Sequence, residues 1–124
     1  MSDKYYQEFE NTVQRDELIA GTEHTRLENV SVKGGAEFSR GCILAGTDNL
    51  FEPAKAAADA KKVLVIAAED YFSADSAVGV TSAYTAGNFT LEKLSTGSSV
   101  VGAADFKESL RQVGIFETSM HEIF

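Results

Sequence analysis

The sequence predicts a mainly β domain with one short helix near its C-terminal end. From Leu18 onward, apolar and polar residues alternate with a period of two, which is typical of half-buried strands. Turn-forming residues recur about every 8 to 12 positions, a spacing typical of small β-sandwiches and barrels. The segment from Asp105 to Ile115 departs from this pattern and has the apolar spacing of a helix.

Length and charge narrow the classes of protein to consider. A chain of 124 residues with 44% hydrophobic residues is sized for one domain with its own core. The net charge is -8, and the 11 Lys and Arg residues are scattered along the chain, so the protein is not expected to bind nucleic acid. A single cysteine, Cys42, excludes an intrachain disulfide and is predicted to be a small buried hydrophobic residue.

The first 17 residues differ in composition from the rest and are predicted to form an extended arm. Five acidic residues stand there against Lys4 and Arg15, and neither a glycine nor a clear helix cap is present. Residues 18–124 are then expected to form one β-rich domain. The start of the chain lacks a basic leader and a long apolar segment, so we expect synthesis in the cytoplasm and no membrane partner.

The first strands are predicted on either side of a glycine turn. In NVSVKGG, Val30 and Val32 share one face before the turn at Gly34-Gly35. In EFSRGCILAG, we expect Phe38, Cys42 and Leu44 on one face and Ile43 on the other. Gly41 fits a bulge or a close crossing of two backbones.

The middle of the chain is predicted as a loop, a short helical turn and a buried strand. GTDNLFEP, which ends at Pro53, has the composition of a loop. AKAAADAKK has strong helix propensity but length for only one or two turns, and an extended loop is the alternative. KVLVIAAED is a continuous apolar run with β-branched residues, so we predict a strand covered on both faces.

The segment VGVTSAYTAGNFTLEKL is predicted to be a β-hairpin. Val78, Val80 and Tyr84 share one face before Gly87-Asn88, and Phe89 and Leu91 share one face after it. Gly-Asn tolerates the positive φ that a tight turn requires. We therefore predict two strands joined at Gly87-Asn88.

The helix is predicted over DFKESLRQVGI. Asp105 followed three residues later by Glu108 resembles a capping box. Gly114 supplies a left-handed stop, and Ile115 supplies the apolar contact after it. The predicted buried face consists of Phe106, Leu110 and Val113. The tail FETSMHEIF, from Phe116 onward, is expected to be a last edge strand or an arm.

The sequence contains no recognisable catalytic or metal-binding pattern, so neither catalysis nor a cofactor or metal is expected. His24 and His121 are far apart, and no nucleophile elbow or phosphate-binding loop is present. The acidic residues are spread along the chain and are predicted to be solvated surface: Asp48, Glu52, Glu69, Asp70 and Asp75.

Several segments, taken in order, resemble the bacteriophage head decoration proteins, the family of the phage lambda capsid-stabilising protein. An R-G-x-x-L-G strand is matched by Arg40, Gly41 and Leu44, and its last glycine is shifted by one position to Gly46 because Ala45 intervenes. A second strand is matched by 63–70. The family's G-x-F-N-like hairpin is matched by 86–89, and its L-R-x-x-G-I ending by 110–115. The resemblance covers residues 17–116.

The resemblance implies a β-tulip type of fold and a structural role in the virion. Members of the family assemble as homotrimers on the outer surface of the expanded capsid, at three-fold or quasi-three-fold sites. There they clamp neighbouring major capsid proteins against the pressure of packaged DNA. In the family the N-terminal arm adds a strand to the capsid protein. Among the aromatic residues of this arm, Tyr5, Tyr6 and Phe9 are the candidate capsid contacts.

Two interpretations therefore follow from the sequence. The first is a trimeric capsid decoration protein whose partners are the major capsid protein and other copies of itself. The alternative is a small β-barrel that binds a ligand such as a sugar, or an accessory module of a tail or baseplate.

Overall fold

A computed structural model describes residues 18–73 and 77–119 of the chain, with the side chains of 21–24 left out. The predicted mainly β fold is confirmed. Residues 1–17, predicted to form the arm, lie outside the described residues. The strands are β1 (Ile19–Val32), β2 (Glu37–Phe38), β3 (Ile43–Thr47), β4 (Leu50–Pro53), β5 (Val63–Ala67), β6 (Tyr71–Phe72), β7 (Gly79–Thr90) and β8 (Ile115–Thr118).

Most of the described strands belong to one strongly curled sheet, which is not a closed barrel. Its order is β1-β4-β3-β5-β7-β8, and β1 also pairs with β7 along much of its length. The short strands β2 and β6 pair separately as a two-stranded ribbon. Curling lets a single sheet bury both of its faces.

Alternation along the strands divides the apolar residues between two cores. We call them the helix-side core, which contains Phe106 and Leu110, and the ribbon-side core, which contains Phe38. The predicted faces of β3 are confirmed, because Cys42 and Leu44 lie in the ribbon-side core with Phe38, and Ile43 lies in the helix-side core. Strand β5 is buried on both faces over 64–67, also as predicted.

The prediction of a hairpin at Gly87-Asn88 is wrong, because β7 continues through both residues. Arg26 pairs with Ala86 and Leu27 pairs with Tyr84, so Thr85 is an extra residue on β7, as in a β-bulge. The extra residue reverses the alternation, which explains why Tyr84 and Phe89 both face the helix-side core. Gly87, with a φ of 145°, lies just beyond this bulge.

The C-terminal end of β7 also differs from the prediction. The strand ends at Thr90, and Leu91–Lys93 form a 3₁₀ turn instead of continuing the predicted second strand. Past the bulge, β7 pairs with β8 in parallel, from Gly87 with Ile115 to Thr90 with Thr118. The predicted edge strand after the helix is thus confirmed for Ile115–Thr118, and residues 120–124 lie outside the described residues.

The segment predicted as a loop before Pro53 is instead a tight hairpin between β3 and β4. Asp48 and Asn49 form its turn, with φ values of 56° and 64°. Positive φ at both central residues defines a type I′ turn, whose twist matches that of the flanking strands. The following short helical segment is confirmed as a 3₁₀ turn over Ala57–Lys61.

The C-terminal helix is present, but its start differs from the prediction. A 3₁₀ turn over Ala103–Phe106 leads into α1 (Lys107–Gln112). Asp105 therefore lies inside the first turn, where its carboxylate accepts a hydrogen bond from the Gly102 N–H at 2.8 Å. Phe106 and Leu110 are buried as predicted, whereas Val113 is 44% exposed. Gly114, with a φ of 88°, ends the helix as expected.

Candidate functional surface

Arg40 connects three separate parts of the curled sheet. Its backbone N–H donates to Asp70 Oδ1 at 2.8 Å, and its Nε donates to the Ala68 carbonyl at 3.1 Å. Its Nη2 donates to the Tyr84 hydroxyl at 3.3 Å. Arg40 thereby holds the turn before β3 against the end of β5 and the middle of β7, which is a structural role.

Gly41 lies where two backbones cross closely, as predicted. Its φ is 95°, and a Cβ at this position would lie 2.5 Å from the carbonyl oxygen of Lys93. The Gly41 carbonyl accepts from the Ser95 N–H at 3.1 Å, which ties β3 to the segment after β7. A side chain at Gly41 would force these two segments apart.

Several of the scattered carboxylates hold the backbone in place. Glu69 accepts hydrogen bonds from the Thr81 hydroxyl at 2.8 Å and the Ser82 N–H at 3.2 Å, and both bonds lower its pKa. Burial alone would raise the pKa of Asp59. The N–H groups of Lys55 and Ala56 and the ammonium of Lys62 outweigh that effect and lower it.

Other predicted candidates are placed as follows. Tyr5, Tyr6, Phe9, Asp75 and His121 lie outside the described residues, and the side chain of His24 is not described. Asn88 accepts a hydrogen bond from the Thr118 hydroxyl at 2.6 Å, which joins β7 to β8. Within the described residues, no group of three or more His, Cys, Asp or Glu side chains could hold a metal ion.

Cys42 is a buried structural residue, as predicted. It is 2% exposed, and burial raises the pKa of its thiol to about 11. The thiol is therefore protonated at neutral pH. Since the thiolate is the reactive form, Cys42 is a poor nucleophile.

Glu117 is a buried acid that sequence reasoning missed. The residue is 7% exposed, and neither carboxylate oxygen has a hydrogen-bond partner. Burial raises its pKa to about 7, Lys107 lowers it and Asp105 raises it. Within FETSM it looks like an ordinary surface residue. Alternation along β8 puts Glu117 on the same face as Ile115, and the parallel pairing of β8 with β7 turns that face toward the interior.

An uncovered strip of the β1–β7 strand pair carries two exposed apolar side chains on one face. Leu27 is 56% and Val80 is 65% exposed. They lie on the face that also carries Tyr84, since Leu27 pairs with Tyr84 and Ser31 pairs with Val80. Between them the Ser82 hydroxyl donates to Asn29 Oδ1 at 3.3 Å. We call this strip the open β1–β7 face and define it by Leu27, Asn29, Ser31, Val80 and Ser82.

The sequence predicted that Val80 and Tyr84 share a face, but it did not predict that this face is exposed. Tyr84 packs against the helix-side core, whereas Leu27 and Val80 lie beyond it. A strand face with exposed apolar residues is suited to contact with another protein surface.

Comparison with known proteins does not assign the chain to a family. No protein-family model matches it, and no curated protein matches it. Among the helices of 18–73 and 77–119, none is long and apolar enough to cross a membrane.

Proposed function

We propose that the chain is a bacteriophage capsid decoration protein. It binds the outer surface of the expanded capsid as homotrimers at three-fold or quasi-three-fold sites, and it clamps neighbouring major capsid proteins against the pressure of packaged DNA. Its role is structural and its location is the virion. Two features support the proposal: the ordered set of motifs over 17–116, and a mainly β fold with a short helix before the last strand.

The observation that carries the proposal furthest is the open β1–β7 face. Leu27 and Val80 are both exposed on the same face of neighbouring strands, with the Asn29–Ser82 hydrogen bond between them. In a trimer, a patch of this kind on each subunit is covered by a neighbouring subunit or by the shell. We assign it to contact between subunits, and we assign contact with the capsid protein to Tyr5, Tyr6 and Phe9 of the arm.

The direct test is co-sedimentation with expanded and unexpanded shells assembled from the major capsid protein encoded with this chain. The unaltered protein should bind expanded shells to saturation and leave unexpanded shells bare. The double variant Leu27→Lys with Val80→Lys should lower the occupancy of expanded shells. The midpoint of its thermal unfolding should stay the same as that of the unaltered protein. Val100→Lys is the matched control, because Val100 is 87% exposed in a loop away from the open β1–β7 face.

The arm is tested separately by deleting residues 2–15 or by changing Tyr5, Tyr6 and Phe9 together to Ala. Either change should reduce shell occupancy. Unchanged occupancy would remove the arm from the proposal. A protein that binds neither form of shell would overturn the proposal as a whole.

A further inference from the structure

A groove runs between the β2–β6 ribbon and the segment 95–97. It consists of two adjoining cavities of about 590 Å³ and 340 Å³, which share Glu37, Pro53 and Gly97 as lining residues. We call it the ribbon groove. Its length, along two joined cavities, suits an extended segment better than a single compact molecule.

The larger cavity is lined by aromatic rings. Its floor includes buried Phe38, whose ring stacks on that of Tyr71 with 5.2 Å between centroids. Phe72 lies at the rim and is 68% exposed. Glu37 pairs with Phe72 across the ribbon, so this acid and this exposed ring face one side of it, whereas Phe38 and Tyr71 face the other side, toward the ribbon-side core.

The charges of the larger cavity favour a cation. Glu37 and Asp70 line it, and its lining residues include no Lys, Arg or His. Asp70 uses Oδ1 for the Arg40 N–H, and its second oxygen remains for a ligand. Aromatic rings beside carboxylates favour a guanidinium group in particular, since it stacks on rings and pairs with carboxylates through two N–H groups.

The smaller cavity adds two lysines to its two acids, Glu37 and Glu52. Lys33 and Lys55 both line it, and both approach the same carboxylate oxygen of Glu52, at 3.9 Å and 3.7 Å. Two ammonium groups thus share one of the two acids there, and Glu37 at the junction belongs equally to the larger cavity. Both lysine side chains are more than half exposed, so an incoming acid can compete with Glu52 for them.

We propose that the ribbon groove binds an extended peptide segment of a partner protein. An arginine of that segment occupies the larger cavity, where its guanidinium stacks on Phe72 and pairs with Glu37. An acidic residue a few positions away lies beside Lys33 and Lys55. This inference is independent of the proposed function, because it rests only on the shape and charge of the groove.

The first experiment uses the isolated protein, labelled with ¹⁵N, and N-acetyl-arginine amide as the probe. Rising probe concentration should shift the amide signals of 37–39, 70–72 and 95–97. N-acetyl-citrulline amide has nearly the same shape without the charge and should leave these signals in place. Equal shifts with both probes, or arginine shifts elsewhere on the protein, would overturn the proposal.

Variants of the rim give the second readout. Glu37→Gln should weaken arginine binding roughly threefold, the scale of a partly exposed ion pair. Glu108→Gln removes an exposed acid from α1 and is the matched control, which should bind like the unaltered protein. Phe72→Ala should also weaken binding, whereas Phe116→Ala, which removes another exposed ring, should not.

The third readout tests the smaller cavity with a blocked peptide, Arg-Gly-Gly-Asp, and its Asn-ending counterpart. The Asp peptide should also shift the signals of 33–36 and 55 and bind more tightly than the Asn peptide. Identical affinities would reject the acidic residue as part of the ligand. A neutral disaccharide that shifts the signals of 37–39 and 70–72 where the arginine probe fails would replace the peptide with a sugar.

Discussion

At the scale of single residues, Glu117 is the group whose protonation matters most for stability. Its pKa is raised to about 7 in the folded protein from 4.5, so the folded state favours the protonated acid. The stabilisation is fully present below pH 4.5 and is lost as the pH rises through 7. A shift of this size corresponds to at most about 3.4 kcal/mol.

Glu117→Gln should remove this pH dependence, because a neutral amide keeps the shape of the protonated acid. Urea unfolding at several pH values measures the effect. At acidic pH the variant and the unaltered protein should be similarly stable, and near pH 8 the variant should be more stable by about 2 kcal/mol. Glu108→Gln, an exposed change on α1, should follow the unaltered protein. Parallel pH profiles for all three proteins would contradict the assignment.

At the scale of elements, the turn between β3 and β4 tests how much local backbone conformation contributes to the stability of the fold. Asn49 has a φ of 64° in a type I′ turn, a conformation that β-branched residues adopt only with strain. Asn49→Val should therefore lower the free energy of unfolding by about 1–2 kcal/mol. Asn49→Gly keeps the conformation accessible and should change stability by less than about 0.5 kcal/mol. Equal stability of the two variants would show that the turn is not under this constraint.

The sequence predicted strands correctly where the alternation of apolar and polar residues was enough to define their faces. The faces of Phe38, Ile43 and Leu44 follow from a period of two, which sequence reports directly. Gly87-Asn88 was misassigned because Gly-Asn suits both a turn and a bulged strand. What decides between them is pairing of β7 with β1, more than fifty residues away in sequence. The turn at Asp48-Asn49 was missed because it lacks the glycine that usually marks a type I′ turn.

At the scale of the whole molecule, the candidate surfaces could not have been predicted. The open β1–β7 face depends on where the helix-side core stops, and no local pattern marks that limit. The ribbon groove joins β2, β6 and 95–97, which are separated by long stretches of chain. Its charges are visible in the sequence only as scattered acids. Composition predicted a solvated acidic surface, and the fold brings two acids, Glu37 and Asp70, to one cavity and places Glu37 opposite the exposed ring of Phe72.

The net charge of the whole molecule leads to a prediction about assembly. Each copy carries a net charge of -8, so bringing copies together is opposed by repulsion, while the open β1–β7 face offers apolar contact. Salt screens the repulsion and leaves the apolar contact intact. The trimer fraction, measured by sedimentation velocity, should therefore rise as NaCl increases from about 20 to about 300 mM, over which the Debye length shrinks roughly fourfold. The double variant Leu27→Lys with Val80→Lys should abolish this rise, because the apolar contact is lost. This should hold even though the two lysines reduce the net negative charge. Val100→Lys should preserve it. A trimer fraction that falls with salt would mean that ion pairs, rather than the open β1–β7 face, hold the subunits together, and a monomer at every salt concentration would rule out self-association in solution.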